Sequence, residues 1–352
     1  MHASEKELRL IRMLLTIIAV PMVVMIFRTL KAIFIPLMLA TFLSFVFAPL
    51  NGWLRKKKVH ISLVMLIMLI IISLLMVGAF MLLNAAAGSL ISGFPRYQYR
   101  LVLELQNWIE FFENWNIKLA SATSSLPKMD ISRLLSPGSF SLSKTLSNVM
   151  STTVGIGWNF ILIIIFLMFI VAQDGRLSER LAAVLKEEDR IKTTKTLHNI
   201  QVQIQRYLLT KTVISLLTAI VGMVFMALYG VDFILVCGIL LFVLNFIPNI
   251  GSIIASGIPI LICFLQGGLD WRTITFSMCI IGTQMLFGNI IEPQIQGERL
   301  DLSPIMVLVS LIFWGWVWGI VGMLLAVPIT SAINIMLKQI NEKNLISAII
   351  SA

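Results

Sequence analysis

An apolar run without a single charge, Ile61–Leu83, constrains this sequence more than any other feature. About 18 or more such residues in helical form match the roughly 30 Å hydrocarbon core of a bilayer. Phe160–Ala172, extended back to Thr152, is a second such run. The bulk composition agrees: 58% of residues are hydrophobic and 12% charged, against roughly 45–50% and about 25% in soluble domains. Lipid offers the backbone no hydrogen bonds, so a spanning segment must satisfy its own. The expected fold class is therefore all-α, a polytopic helical membrane protein.

The charges set the expected topology. The net charge is +10, which in a soluble protein would raise nucleic-acid binding. Here short cytoplasmic loops account for the excess Lys and Arg, and no nucleic-acid partner is expected. Span one is placed at Met13–Phe27, uncleaved behind Lys6, Arg9 and Arg12, and span two at Ala32–Leu54. The densest basic cluster, Arg55-Lys56-Lys57-Lys58, comes next and belongs in the cytoplasm, with the N-terminus on the same side. Span three is Ile61–Leu83. Residues 84–150 should be extracytoplasmic: an amphipathic helix carrying Leu101, Leu105, Trp108, Phe112 and Trp115, then a Ser-rich loop. Span four, Thr152–Ala172, returns to a basic stretch, Gln173–Lys211, read as cytoplasmic with two amphipathic helices (Leu177, Leu181, Val184; Leu197, Ile200, Ile204, Leu208). Span five is Thr212–Leu228. The resulting division is 1–83 for N-terminal spans, 84–150 for the external segment, 151–211 for one span and the basic helices, and 212–352 for a C-terminal transport core.

Two blocks, Phe233–Gln266 and Pro304–Leu337, are each 34 residues of mostly apolar sequence. A straight helix of that length would run about 51 Å, too long for the hydrocarbon core. Each must be a broken helical hairpin, either two short spans or a re-entrant pair. Asn245-Phe246-Ile247-Pro248-Asn249-Ile250-Gly251 supplies the first break, since Pro removes a donor and Gly permits a turn. Gly315, Gly319, Gly322 and Pro328 offer places for the second. One ordinary span, Thr273–Ile291, lies between. Both hairpins return to their own side, which puts the C-terminus, with Lys338 and Lys343, in the cytoplasm.

Broken helices expose backbone groups that protein or a watery cavity must cover, and transporters bind substrates at such places. The candidate pathway is therefore Asn245, Pro248, Asn249 and Gly251 at the first break, with Gln284, Asn289, Glu292 and Pro293 at the end of the intervening span. A plain turn between two spans would use the same Asn and Pro residues. Glu292 reads either as a loop carboxylate or as a titrating group. Gly315, Gly319, Gly322 and Pro328 are candidate hinge or packing positions, and the Trp residues at 314, 316 and 318 read as packing or interface anchors.

Other chemistry finds no footing. Cys237, Cys263 and Cys279 lie apart in apolar stretches and read as small buried side chains. His2, His60 and His198 lie outside the expected spans, so no metal or cofactor is implied. Gly138–Thr145 lacks the Gly before Lys that a phosphate-binding loop needs. No nucleophile, base or metal constellation points to an enzyme.

Three segments carry a resemblance: Asn245–Ser252 (NFIPNIGS), Phe287–Pro293 (FGNIIEP), and Leu311–Trp316 (LIFWGW) with Gly319–Pro328 (GIVGMLLAVP). In this order and spacing they resemble the autoinducer-2 exporter (AI-2E) family of bacterial membrane proteins. The likeness covers most of the chain, with little of it in 84–150. It implies a bacterial inner-membrane homo-oligomer, of pentameric order, exporting autoinducer-2 or a related small polar solute. It also implies an alternative, since some members are described as sodium (lithium)/proton antiporters; antiport would need a titrating carboxylate, with Glu292 the best candidate.

Overall fold

The computed structural model describes residues 5–114, 153–173, 187–296 and 302–340. All regular structure among them is helical. The helices are α1 (Glu5–Thr29), α2 (Lys31–Lys56), α3 (Ile61–Asn114), α4 (Thr153–Gln173), α5 (Glu187–Leu228), α6 (Ile234–Leu244), α7 (Ile250–Gly267), α8 (Trp271–Gln284), α9 (Glu292–Gln296), α10 (Pro304–Trp318) and α11 (Ile320–Ile340). A π-helical stretch, Met285–Ile291, joins α8 to α9. Six helices among the described residues are long and apolar enough to cross a membrane. Their outer faces carry side chains such as Leu74, Ile253 and Met278 that are exposed to the surroundings. In water that much contiguous apolar surface would drive aggregation; in lipid it is the ordinary solvent-facing surface. The chain is an all-α, multi-pass membrane protein.

Packing inside the bundle depends on small residues, because lipid supplies no hydrophobic drive between helices. A methyl group added at Gly222 would lie 2.6 Å from Leu241 Cδ1, and one at Gly238 would lie 2.4 Å from Met223 Sδ. These two glycines let α5 and α6 touch closely. Ala219, Met226, Cys237, Leu241, Ala255, Cys263, Phe276 and Ile280 then fill the core shared by α5, α6, α7 and α8. A second core joins α2, α3 and α4 through Ala40, Ile72, Ile163 and Leu167. In a third, Ile247 of the first hairpin packs with Leu311, Trp314, Val317 and Trp318 of the second.

Both long blocks break, as their length requires. The first breaks at residues 245–249 and the second at Gly319, which has a left-handed backbone (φ 66°). Pro328 instead lies inside α11, so of the four positions open to the second break only Gly319 is the turn. Gly315 and Gly322 serve the contact between the legs: Gly322 sits against the Trp314 carbonyl and Gly315 against Met323. Trp314 and Trp318 are buried, with their indole N–H groups donating to Thr330 Oγ1 (3.2 Å) and to the Phe27 carbonyl (3.1 Å). Trp316 faces outward beneath the Arg28 guanidinium, 4.6 Å from its ring centre.

Helix α3 does not end at Leu83 but continues without interruption to Asn114. The continuation runs through Gly88, Gly93 and Pro95, residue types that disfavour a helix interior, and just past them Tyr97 and Arg100 hold it against the first hairpin. Helix α5 likewise merges the second basic helix with span five. The side chains proposed for the amphipathic face at 101–115, the leucines at 177 and 181, Val184, Lys338 and Lys343 lie outside the described residues or side chains.

The helix ends gather on two sides. At one, Arg55 donates to the Val171 carbonyl (3.1 Å). At the other, about 54 Å along α3 from Ile61, α3 grips both legs of the first hairpin. Tyr97 donates to Asp232 Oδ2 (2.5 Å), and Arg100 donates to the carbonyls of Leu265 (2.9 Å) and Gln266. Burial, and then the bond to Asp232, push the Tyr97 phenol up to about 12, so it keeps its proton and remains the donor. Close by, Arg272 ties α8 to the carbonyls of Tyr229 and Gly230.

Asp270 caps α8 by accepting from the Thr273 amide at 2.8 Å. That bond holds its carboxyl below the usual range. A depressed carboxylate stabilises the fold fully above the ordinary carboxyl range, and that contribution is lost as the pH falls through its own lower value. Asp270→Asn, which keeps an acceptor that does not titrate, should flatten the acid limb of the melting curve relative to wild type; identical acid limbs would rule the cap out as its source.

Candidate functional site

The first hairpin turns through a conformation that most residues avoid. Asn249 has φ 58° and ψ −60°, and the Ile250 amide donates to the Pro248 carbonyl at 2.6 Å. This is the strained form of the three-residue γ-turn. Asn tolerates positive φ better than other side chains except Gly, and Pro248 pre-sets the approach. Gly251 comes two residues later because nothing larger fits: a methyl group there would lie 1.8 Å from the Leu244 carbonyl oxygen. Strain of this kind persists only where the surroundings hold it, and it concentrates at binding and switching sites.

The residue at the end of α6 is held from two sides. Asn245, buried, donates from Nδ2 to Ser215 Oγ of α5 (3.1 Å) and accepts from Gln284 Nε2 of α8 (2.8 Å). A side-chain chain thus links three elements inside the bundle, where unmet amides would be costly.

Beyond Gln284 the helix widens into the π-helical stretch Met285–Ile291. Such a stretch inserts a residue and re-aims the side chains on its C-terminal side. The first of these is Glu292, whose carboxylate meets Lys211 of α5: Nζ lies 2.8 Å from Oε1 and 2.9 Å from Oε2. The lysine is 7% and the glutamate 13% exposed at the side chain. Pro293 follows in the same continuous helical course, where it lacks the donor that would reach back to the preceding turn.

These parts enclose a cavity of about 700 Å³. Asn245, Pro248, Asn249, Gln284, Asn289 and Glu292 line it, so six of the eight candidate pathway residues come together. Gly251 and Pro293 do not line it, and neither do Gly315, Gly319, Gly322 or Pro328. Asn289 is exposed rather than enclosed by a neighbouring helix. An apolar groove of about 540 Å³ shares Gly257, Ile260 and Ile281 with the cavity and leads along α7 and α8.

Four lining or supporting residues are not among the sequence candidates: Lys211, Ser215, Ser252 and Ser256. Lys211 reads in the sequence as the end of a cytoplasmic basic stretch; the structure shows it buried inside the bundle against Glu292. Ser256, 7% exposed, lines the cavity, and its buried hydroxyl has no hydrogen-bond partner among the described residues. Its signal in the sequence is faint but present: a Ser seven residues after Asn249 lies on the same helical face as the turn.

Comparison with known proteins fits this architecture. The family model described as AI-2E family transporter matches residues 14–342. The Escherichia coli AI-2 transport protein TqsA is 30% identical over 313 residues, covering 87% of this chain and 86% of its own length. YhhT of Escherichia coli, named for transport, is 30% identical over 310 residues, covering 87% and 84%. A Haemophilus influenzae protein, also named for transport, is 29% identical over 339 residues, covering 95% and 94%. Since the matched stretch contains both broken hairpins and every residue of the cavity wall, this chain belongs to the AI-2E family of transporters.

Proposed function

We propose that the protein exports a small, uncharged, hydroxyl-rich solute of the autoinducer-2 class through the cavity at the first hairpin turn. One observation carries the reading: a strained γ-turn at Asn249 forms part of the wall of a cavity that Asn245, Asn249, Gln284 and Asn289 line together. The volume falls within the roughly 300–1,000 Å³ of small-molecule sites. Amides and hydroxyls dominate its polar groups, and its two charges neutralise each other. They suit a neutral polar solute, which agrees with the name of the relative TqsA.

The wider reading is a homo-oligomer, with a pentamer the expected order, in a bacterial inner membrane with both termini cytoplasmic. The basic cluster at residues 55–58 supports this orientation. Helix α6, eleven residues and about 16 Å long, suits a re-entrant leg. The legs of the second hairpin, about 22 and 32 Å, suit a fuller crossing whose tip meets Arg28. Cation/proton antiport through Glu292 draws no support from a carboxylate already engaged by Lys211.

The test is autoinducer-2 efflux from loaded inside-out vesicles, at matched expression, for wild type, Asn249→Ala and Asn249→Gly. Glycine keeps the left-handed turn and removes only the amide. Saturable wild-type efflux that falls about tenfold or more in the glycine variant is expected, roughly the worth of one polar contact to substrate. Full efflux in Asn249→Gly would remove the amide from the site, and no efflux from wild type would reject the substrate class.

A further inference from the structure

We infer that Lys211 is a tethered cation: its ammonium group occupies the place beside Glu292 that a coupling sodium or lithium ion would need, so transport through this cavity proceeds without a monovalent cation as co-substrate. The inference rests on the proposed reading of the cavity as the transport site. Four observations lead to it.

Glu292 is the one carboxylate, and Lys211 the one cation, among the described residues that line the cavity. Glu292 is therefore the formal negative charge that the described lining offers a cation. The ammonium group straddles that carboxylate, 2.8 and 2.9 Å from its two oxygens, as a small point charge does. Both side chains are largely buried, where an ion costs several kcal/mol unless a partner neutralises it. Finally, the pair is built and not incidental. The π-helical stretch ends immediately before Glu292, and α5 runs continuously from its basic part to place Lys211 opposite. A covalently attached cation cannot leave with the substrate, so the charge of the pathway stays constant through the cycle.

The experiment is thermal unfolding of the purified full-length protein in detergent, in sodium, lithium and choline chloride at equal ionic strength. It requires no substrate, so it reports on this inference even if the solute proves to be different. Wild type is expected to melt at the same temperature in all three salts. Lys211→Met should melt lower in choline and regain about 2–4 °C in sodium or lithium, saturably, because the ion now takes the vacated place. That gain should vanish in Lys211→Met/Glu292→Gln. Should Lys211→Met not fold, Lys211→Gln, whose amide still donates to the carboxylate, takes its place. Wild type stabilised by sodium or lithium over choline, with Glu292→Gln abolishing the effect, would overturn the inference. A folded Lys211 variant that responds to no cation would do the same.

Discussion

Gly251→Ala and Gly322→Ala are expected to abolish the folded protein or lower its melting temperature more than any other small substitution in the membrane core. A methyl group at Gly251 would lie 1.8 Å from the Leu244 carbonyl oxygen and 2.9 Å from Ile247 Cβ. At Gly322 it would lie 1.9 Å from the Trp314 carbonyl oxygen. Overpacking against a movable side chain costs about 1–3 kcal/mol. Here the obstacle is backbone, held by the turn on one side and by helix hydrogen bonds on the other, so the cost should exceed about 3 kcal/mol. Gly282→Ala is the internal control. Nothing lies within 4 Å of its added methyl, and alanine in a helix is worth about 0.5–1 kcal/mol over glycine. Gly282→Ala should therefore melt at or slightly above wild type. Equal melting of all three variants would show that the hairpin legs do not approach each other this closely.

The second large effect concerns the ion pair. Lys211→Met alone, in choline salts, should destabilise by about 3–5 kcal/mol, because it leaves a buried carboxylate without its lysine. Glu292→Gln alone should cost a comparable amount. Lys211→Met/Glu292→Gln should recover most of the loss, since removing both charges also removes the penalty of burying them. The measurement is a double-mutant cycle from unfolding midpoints. Single losses that simply add in the double variant would mean that the two side chains do not interact energetically.

Much of this architecture is legible in the sequence, for reasons particular residues make clear. The breaks in the two long blocks are dictated by length alone, and the Asn245–Gly251 segment names its own turn through Pro248 and Gly251. The second break is less legible. Pro328 is the stronger breaker in a helix interior, yet it lies within α11, while Gly319 supplies the left-handed residue that a one-residue turn demands. Clustering of the amides with Glu292 could be anticipated from polar residues in apolar surroundings. Lys211 could not, because a count of positive charges assigns it to the cytoplasmic stretch and its partner lies 81 positions away. The π-helical stretch that aims Glu292 has one mark in the sequence, Pro293 just after it, which signals a disturbed helix but not that the helix widens. The γ-turn leaves no mark: Asn249 is ordinary turn chemistry in sequence, and only its dihedral angles show strain.

The continuous course of α3 gives the first hairpin an outer partner. Beyond Gly93 it projects about 31 Å to Asn114, while Tyr97 and Arg100 hold the first hairpin only about 6 and 10 Å past the same point. Gly93, closed over by the Phe233 ring, and Pro95 lie just before these grips, and Gly and Pro are where long helices bend. The loop before α6 and the end of α7 are the outer anchors of the turn at Asn249. Helix α3 is thus tied, through two hydrogen-bonded grips, to both outer anchors of the strained bend in the cavity wall.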